Sequence, residues 1–161
     1  MARGYRYHSL SDAVRDATRD RGLTTSRENL VQVGNELRAA GGPGALVDHL
    51  APRLIPPAIV DSVRNPGEVE ALRRLDGIFL LGVDAPAEVR FARITSRGRQ
   101  GDIRTAAEFA AYEEKENSAD SRRQRIGATL ELADAIVVND GSLADLHNRV
   151  QSALESFSQA R

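Results

Sequence analysis

The sequence predicts an α/β fold, a parallel sheet with helices on both faces in three layers. Three observations predict it. Four short apolar runs, YRYHSL, AIVDSV, IFLLGVD and AIVVND, recur between helical stretches. The last three are continuous rather than alternating, as strands covered on both faces are. Strand and helix signals alternate along the chain, which is the order of layered α/β domains.

The elements follow in order. After the first run, Thr25 and Glu28 have capping-box spacing ahead of Leu30, Val33, Gly34 and Leu37, a stripe at i, i+3, i+4, i+7, and Gly41 and Gly42 stop the helix. PGALVDHLAPRL is expected to form a second helix on a Leu46, Leu50, Leu54 face, ended by Pro56 and Pro57. Past AIVDSV, Asn65 caps a helix with Pro66 at its first position, Glu68 near its positive end, and Val69 and Leu72 turned inward. Thr105 and Glu108 repeat the capping box, and Ser142 opens a terminal helix carrying Leu143, Leu146, Val150 and Leu154 on one side. No repeat, low-complexity tract or linker interrupts residues 1–161, so a single domain is expected.

Composition narrows the function classes. At 161 residues, with 41% apolar and 28% charged, the chain is long enough for a substantial core. Twenty-two Lys plus Arg against 23 Asp plus Glu leave a net charge of −1, so no global basic field recruits nucleic acid or anionic lipid. The seven Phe and Tyr offer little for base stacking, and no nucleic-acid partner is expected. The absence of cysteine excludes disulfides, zinc thiolates, cysteine nucleophiles and a zinc deaminase site. His8, His49 and His147 lack metal-ligand spacing. With no apolar run of membrane-spanning length and no apolar signal core, a cytoplasmic protein with no membrane partner is expected.

Ligands of open α/β sheets sit at the carboxyl ends of the strands. Ser9, Ser11, Asp12 and Arg15 follow the first run, Asp61 and Arg64 the second, Asp84 and Pro86 the third, and Asn139, Asp140 and Gly141 the fourth. Helix caps and turns explain many of these residue types equally well. Arginines are harder to explain so. VRFARITSRGRQGDIRT carries Arg90, Arg93 and Arg97 at i, i+3, i+7, followed by Arg99 between Gly98 and Gly101. A solvated helix face is the plain alternative. Yet the basic residues are nearly all arginine, Lys115 being the only lysine, and the guanidinium fork binds phosphate in bidentate fashion. A lid over about 93–125 that closes such groups on transferring phosphates fits the pattern.

VDSVRNPGEVEAL, VDAPAEVRFARITSRGRQGD and LADAIVVNDGSLADLHNRV resemble blocks of the nucleoside monophosphate kinase branch of P-loop NTPases, in particular dephospho-CoA-kinase-like and adenylate-kinase-like proteins. The resemblance runs from about Tyr5 to Val150 and the blocks keep the family's order. It implies a P-loop-kinase-like sheet, ATP and Mg2+ as cofactors, and a nucleoside monophosphate or similar small molecule as acceptor. By it, Asp61 orients magnesium and its water, and Arg64 holds acceptor phosphate as in an Asp-Gly-x-x-Arg pattern, with Ser62 replacing the glycine. Asp12, Arg15 and Arg27 fall in acceptor-binding helices over about 11–55. Arg93, Arg97 and Arg99 are lid arginines, and Asn139, Asp140 and Gly141 pack against the donor base.

One part of that pattern is not in the sequence. The family's first strand and G-x-x-x-x-G-K-[ST] loop belong before GYRYHSLSD, and AAGGPGALVDHL lacks their lysine and hydroxyl. ATP binding by this chain is therefore expected to be weak or absent. The missing strand is the central one, so AIVDSV and IFLLGVD should each keep an unpaired edge. An upstream segment, a partner chain, or direct pairing of the remaining strands in a homodimer could cover those edges. Two functions are expected on these grounds: a nucleotide kinase-like phosphotransferase, incomplete in this chain, or a non-catalytic nucleotide-binding or regulatory subunit without the P-loop.

Overall fold

A computed structural model describes residues 4–98, 103–116 and 125–159. Among them, four strands and eight α-helices run in the order β1 (Arg6–Ser9), α1 (Leu10–Asp20), α2 (Arg27–Gly41), α3 (Ala45–Leu50), β2 (Ala58–Asp61), α4 (Pro66–Arg73), β3 (Leu81–Asp84), α5 (Ala87–Arg97), α6 (Ala106–Glu116), α7 (Ile126–Leu130), β4 (Ala135–Val138) and α8 (Leu143–Gln159). The α/β class and the parallel strand direction agree with the sequence reading. A single sheet does not form. β1 pairs in parallel with β2, and β3 in parallel with β4, as two separate two-stranded sheets. The chain packs as two compact units, residues 4–78 with 125–129, and residues 79–98 and 103–116 with 130–159. No helix is long and apolar enough to cross a membrane among the described residues.

The first unit is built around aliphatic side chains. Leu10 and Val14 of α1, Val33 of α2, Leu46, Val47 and Leu50 of α3, and Ala71 and Leu72 of α4 form one buried cluster, with Val60 of β2 and Leu37 packed against it. The register sets Tyr7 opposite Ile59, His8 opposite Val60 and Ser9 opposite Asp61. Because side chains alternate along a strand, His8 and Val60 share the core-facing side, and Tyr7, Ser9, Ile59 and Asp61 share the other. That second side is open at Tyr7 and Ile59, each about half exposed, and closes at Ser9, which is buried. α4 approaches the turn before α3 so closely that a Cβ at Gly67 would lie 2.3 Å from Pro43 Cβ, which only glycine tolerates.

Several boundaries move from their sequence positions. The N-cap of α2 is Ser26, whose hydroxyl accepts from Asn29 N at 3.3 Å, and not Thr25. Asn29 is itself tied back to Thr24, its Nδ2 donating to Thr24 O at 2.8 Å, which fixes the turn one residue later. The helix expected over PGALVDHLAPRL ends at Leu50, and a single 3-10 turn continues over Ala51–Arg53. Pro52 is the reason: it cannot donate the i to i−4 bond, and its ring crowds the preceding turn. β2 stops at Asp61 because Ser62 takes a left-handed backbone conformation, φ 62°. β3 begins only at Leu81, since Leu80 N donates to the Asp134 carboxylate at 2.7 Å and Leu80 O accepts from Asp134 N.

Other signals appear as read. Asn65 accepts from Gly67 N at 2.9 Å and Glu68 reaches back to Asn65 N at 3.1 Å, with Val69 and Leu72 buried. Thr105 N donates to Glu108 at 3.1 Å while Thr105 Oγ accepts from Glu108 N at 3.2 Å. Ser142 does the same with Asp145 at 2.9 and 3.2 Å, opening α8. Leu143 nonetheless stays largely exposed, so the apolar stripe of α8 starts at Leu146.

The second unit has a thinner interior. Ala85, Phe109 and Val137 are its buried apolar residues among those described. Phe79 stacks on Phe157 at 4.4 Å between ring centroids, and Phe91 lies tilted against Phe109 at 5.5 Å. Val83, Ile136 and Val138 of its sheet remain 42–52% exposed.

Candidate functional site

At the carboxyl ends of β1 and β2, four polar side chains meet. Parallel pairing brings Ser9 beside Asp61, and the left-handed turn at Ser62 returns a second hydroxyl to the same place: Ser9 Oγ donates to Ser62 Oγ at 3.2 Å. A non-glycine residue in that conformation costs about 1–3 kcal/mol, which the surrounding contacts must offset. Tyr7 Oη, two residues back on the same side of β1, donates to Asp61 Oδ2 at 2.5 Å. The other carboxylate oxygen, Asp61 Oδ1, is buried without a hydrogen-bond partner.

Electrostatics at this cluster pull both ways. Burial pushes the Asp61 carboxyl up, but the hydroxyls of Ser9, Tyr7 and Ser62 and the charge of Arg64 outweigh it, and the group titrates below its ordinary range. Asp61 is thus an anion at neutral pH. Tyr7 is shifted upward, first by the bond it donates to Asp61, then by burial and the carboxylate's charge. A carboxylate flanked by hydroxyls, with one oxygen unpartnered, presents hard oxygen donors of the kind Mg2+ takes together with water and phosphate oxygens.

The loop that follows, residues 62–65, is held from behind. Glu68 is fully buried and Arg38 nearly so, 0% and 5% exposed. Arg38 Nε and Nη2 donate to Glu68 Oε1 at 3.0 and 2.7 Å. Glu68 Oε2 accepts from the backbone N–H of Arg64 at 2.7 Å and of Asn65 at 3.1 Å. Arg64 O in turn accepts from Arg125 N at 2.8 Å. From the sequence, Glu68 reads only as an acid near the positive end of α4, and its partner does not show. Arg38 lies 30 residues away, and only its place on the Leu30, Val33, Gly34, Leu37 face of α2 hinted that it turns inward.

The remaining expected residues divide between the units. In the first, Asp12 and Arg15 of α1 pair with each other at 2.5 Å at the surface, and Arg27 is the exposed first residue of α2. Arg64 is half-buried in the loop after β2. In the second, Arg93 Nη1 donates to Asn139 O at 2.8 Å, which brings one expected lid arginine to the expected donor-base turn. Asn139 N donates to Asp84 O at 2.6 Å. Asp140 pairs with Arg149 at 2.6 Å, which lowers its pKa, and Gly141 lies against Asp145, whose Oδ2 a Cβ there would approach to 2.8 Å. Arg97 is the exposed last residue of α5. Arg99 lies outside the described residues. Arg90, read as sharing a helix face with Arg93 and Arg97, is engaged elsewhere: it meets Asp84 at 3.0 Å and forks onto Glu113 at 2.8 and 3.0 Å.

The chain is similar to UPF0200 proteins of several organisms. It is 34% identical over 143 residues to a UPF0200 protein of Pyrococcus abyssi, covering 83% of this chain and 74% of the relative. The chain belongs to the UPF0200 family. A UPF0200 protein of Thermococcus gammatolerans is 31% identical over 164 residues, 96% of this chain and 84% of the relative. One from Pyrobaculum aerophilum is 33% identical over 158 residues, 94% and 84%. No family model matches the chain.

Proposed function

We propose that the chain carries the metal and acceptor side of a nucleotide kinase-like phosphotransferase, moving a phosphoryl group from ATP to a nucleoside monophosphate or similar small acceptor. The observation that carries the reading is the geometry of Asp61 at the carboxyl end of a parallel strand pair, with Oδ1 buried and without a hydrogen-bond partner and the Ser9 and Ser62 hydroxyls beside it. Phosphoryl transfer needs positioning and charge neutralisation rather than a covalent nucleophile, and these groups offer both. Asp61, with Ser9 and Ser62 around it, would hold Mg2+, which when bound shields phosphate charge and fixes its oxygens. Arg64, next along the loop, would take the acceptor phosphate, a role its planar fork suits. Arg15 could join only by leaving Asp12, a surface pairing that costs at most about 1 kcal/mol to give up. Arg93, Arg97 and Arg99 would serve the transferring group, and Asn139, Asp140 and Gly141 the donor base.

The groups around Asp61 suit a second reading equally, a nucleotide-binding or regulatory subunit that keeps the acceptor side without catalysis. Titration calorimetry with AMP, CMP, GMP and UMP, each with and without MgATP, combined with an ADP-release assay, separates the two. Monophosphate binding with ADP release supports the kinase, and monophosphate binding alone supports the subunit. Asp61→Asn should lower metal-dependent binding at least about tenfold by removing the charged ligand. Absence of any monophosphate binding, or an unaffected Asp61→Asn variant, rejects both.

A further inference from the structure

We propose that Arg38 and Glu68 form a positioning pair that sets the 62–65 loop, and through it Arg64, against Asp61. The inference rests on reading that loop as the metal- and phosphate-holding segment, and it assigns a task to two buried charges that the reading leaves unused.

A plain helix cap does not account for the geometry. In a capping box the acid returns one oxygen to the N-cap N–H, here Asn65 N at 3.1 Å. Glu68 makes that bond and reaches one residue further, to Arg64 N at a shorter 2.7 Å. Its other oxygen is saturated by two arginine N–H groups. Every acceptor position of the carboxylate is thereby filled, and two of its four bonds end on backbone between the strand-end acid and α4. A buried carboxylate needs a counter-charge, and Arg38 supplies it from α2, where its Nη1 lies 3.4 Å from the point a Cβ on Gly34 would occupy. Gly34 thus leaves the lane through which the arginine reaches the acid.

The consequence concerns Ser62. Its left-handed backbone bends the chain sharply after Asp61 and returns its hydroxyl to Ser9. Such a conformation persists only where neighbours over-determine it. Glu68 pins the far end of the same loop two residues later. Displacing α2 or removing the carboxylate would therefore release Arg64 and relax Ser62 together.

The test compares the full chain with Glu68→Gln and with the double variant Arg38→Met plus Glu68→Leu. Replacing a buried ion pair by apolar side chains of similar volume commonly preserves stability, so the double variant separates position from folding. Three readouts are taken well below the melting temperature: amide hydrogen exchange at Arg64 and Asn65, the Ser62 backbone coupling constant by NMR, and affinities for Mn2+ by EPR and AMP by calorimetry. In the folded double variant, Arg64 amide protection and both affinities should fall about tenfold or more, and Ser62 should leave the left-handed region. A folded double variant that keeps Arg64 protection and Ser62 geometry overturns the proposal, as does one that keeps wild-type affinities. If the double variant does not fold, Glu68→Gln decides by the same measurements, since it retains volume but loses one acceptor. If the wild-type chain binds neither Mn2+ nor AMP, the phosphate reading fails, and exchange and coupling data alone decide whether the pair positions the loop.

Discussion

The first unit closes on aliphatic side chains and a buried ion pair, whereas the second relies on two aromatic contacts and half-exposed charge pairs. Nine of the buried apolar residues belong to the first and three to the second, among those described. The arginines differ accordingly. Arg38 is sealed against Glu68, while Arg90 meets Glu113 with both side chains about one-third exposed. A sealed guanidinium cannot exchange its partner without leaving an unpaired charge in a low-dielectric interior, so it serves geometry. One at the surface trades carboxylate for water or another anion at little cost, so it can serve a ligand. The contrast makes the loop after Asp61 a rigid element of the first unit and Arg90 an adaptable charge of the second.

The largest expected effect would break this contrast most directly. Glu68→Ala leaves Arg38 buried and unpaired and should cost about 3–5 kcal/mol, whereas Glu113→Ala should cost no more than about 1 kcal/mol. Equilibrium urea unfolding of the two variants measures both. Equal losses would mean that the units hold their charges alike. Next, two valines sharpen the comparison of cores. Val33 is 1% exposed and Val83 is 52% exposed. Val33→Ala should cost about 2 kcal/mol from two buried methyl groups and the space they leave, and Val83→Ala within about 0.5 kcal/mol. A cost at Val83 matching that at Val33 would show that something covers the second sheet in solution.

The smallest effect is a pH dependence specific to the first unit. Asp61 has its folded pKa lowered from an ordinary 3.8, so the stability it contributes is complete above that value and is lost as pH falls through the folded one. Tyr7 is raised from 10.0, so its contribution is present below that value and is lost as pH rises through the folded one. Tyr7→Phe removes the bond that links them. It should weaken the acid limb, leaving what Ser9, Ser62 and Arg64 supply, and abolish this residue's alkaline limb. Thermal melts from pH 3 to 11 against wild type check both, and an unchanged profile would mean that the Tyr7–Asp61 bond does not persist in solution.

Local signals were legible because their physics is local. A cap needs one oxygen within reach of an N–H two or three residues on, which is why Asn65, Thr105 with Glu108, and Ser142 opening α8 were readable from spacing. Choosing between adjacent hydroxyls was not: Thr25 has the capping-box spacing to Glu28 and Ser26 does not, yet Ser26 is the cap, with Asn29 tied back to Thr24. Asp61 was legible from its place after an apolar run. Its partners Tyr7 and Ser9 are more than 50 residues away in sequence, and their role depends on a register that no local pattern encodes.

By itself, then, the sequence determined the α/β class, the parallel direction of its strands, the starts of α4, α6 and α8, and an acid and an arginine at the end of the second strand. Each follows from periodicity or from bonds spanning a few residues. Only tertiary structure decided that the strands pair two by two, that Glu68 reaches past its cap to Arg64, and that Arg38 rather than Arg64 or Arg90 is the sealed arginine. Burial and long-range pairing depend on which surfaces meet, and a charged side chain reads the same in sequence whether it ends in water or against a carboxylate in the core.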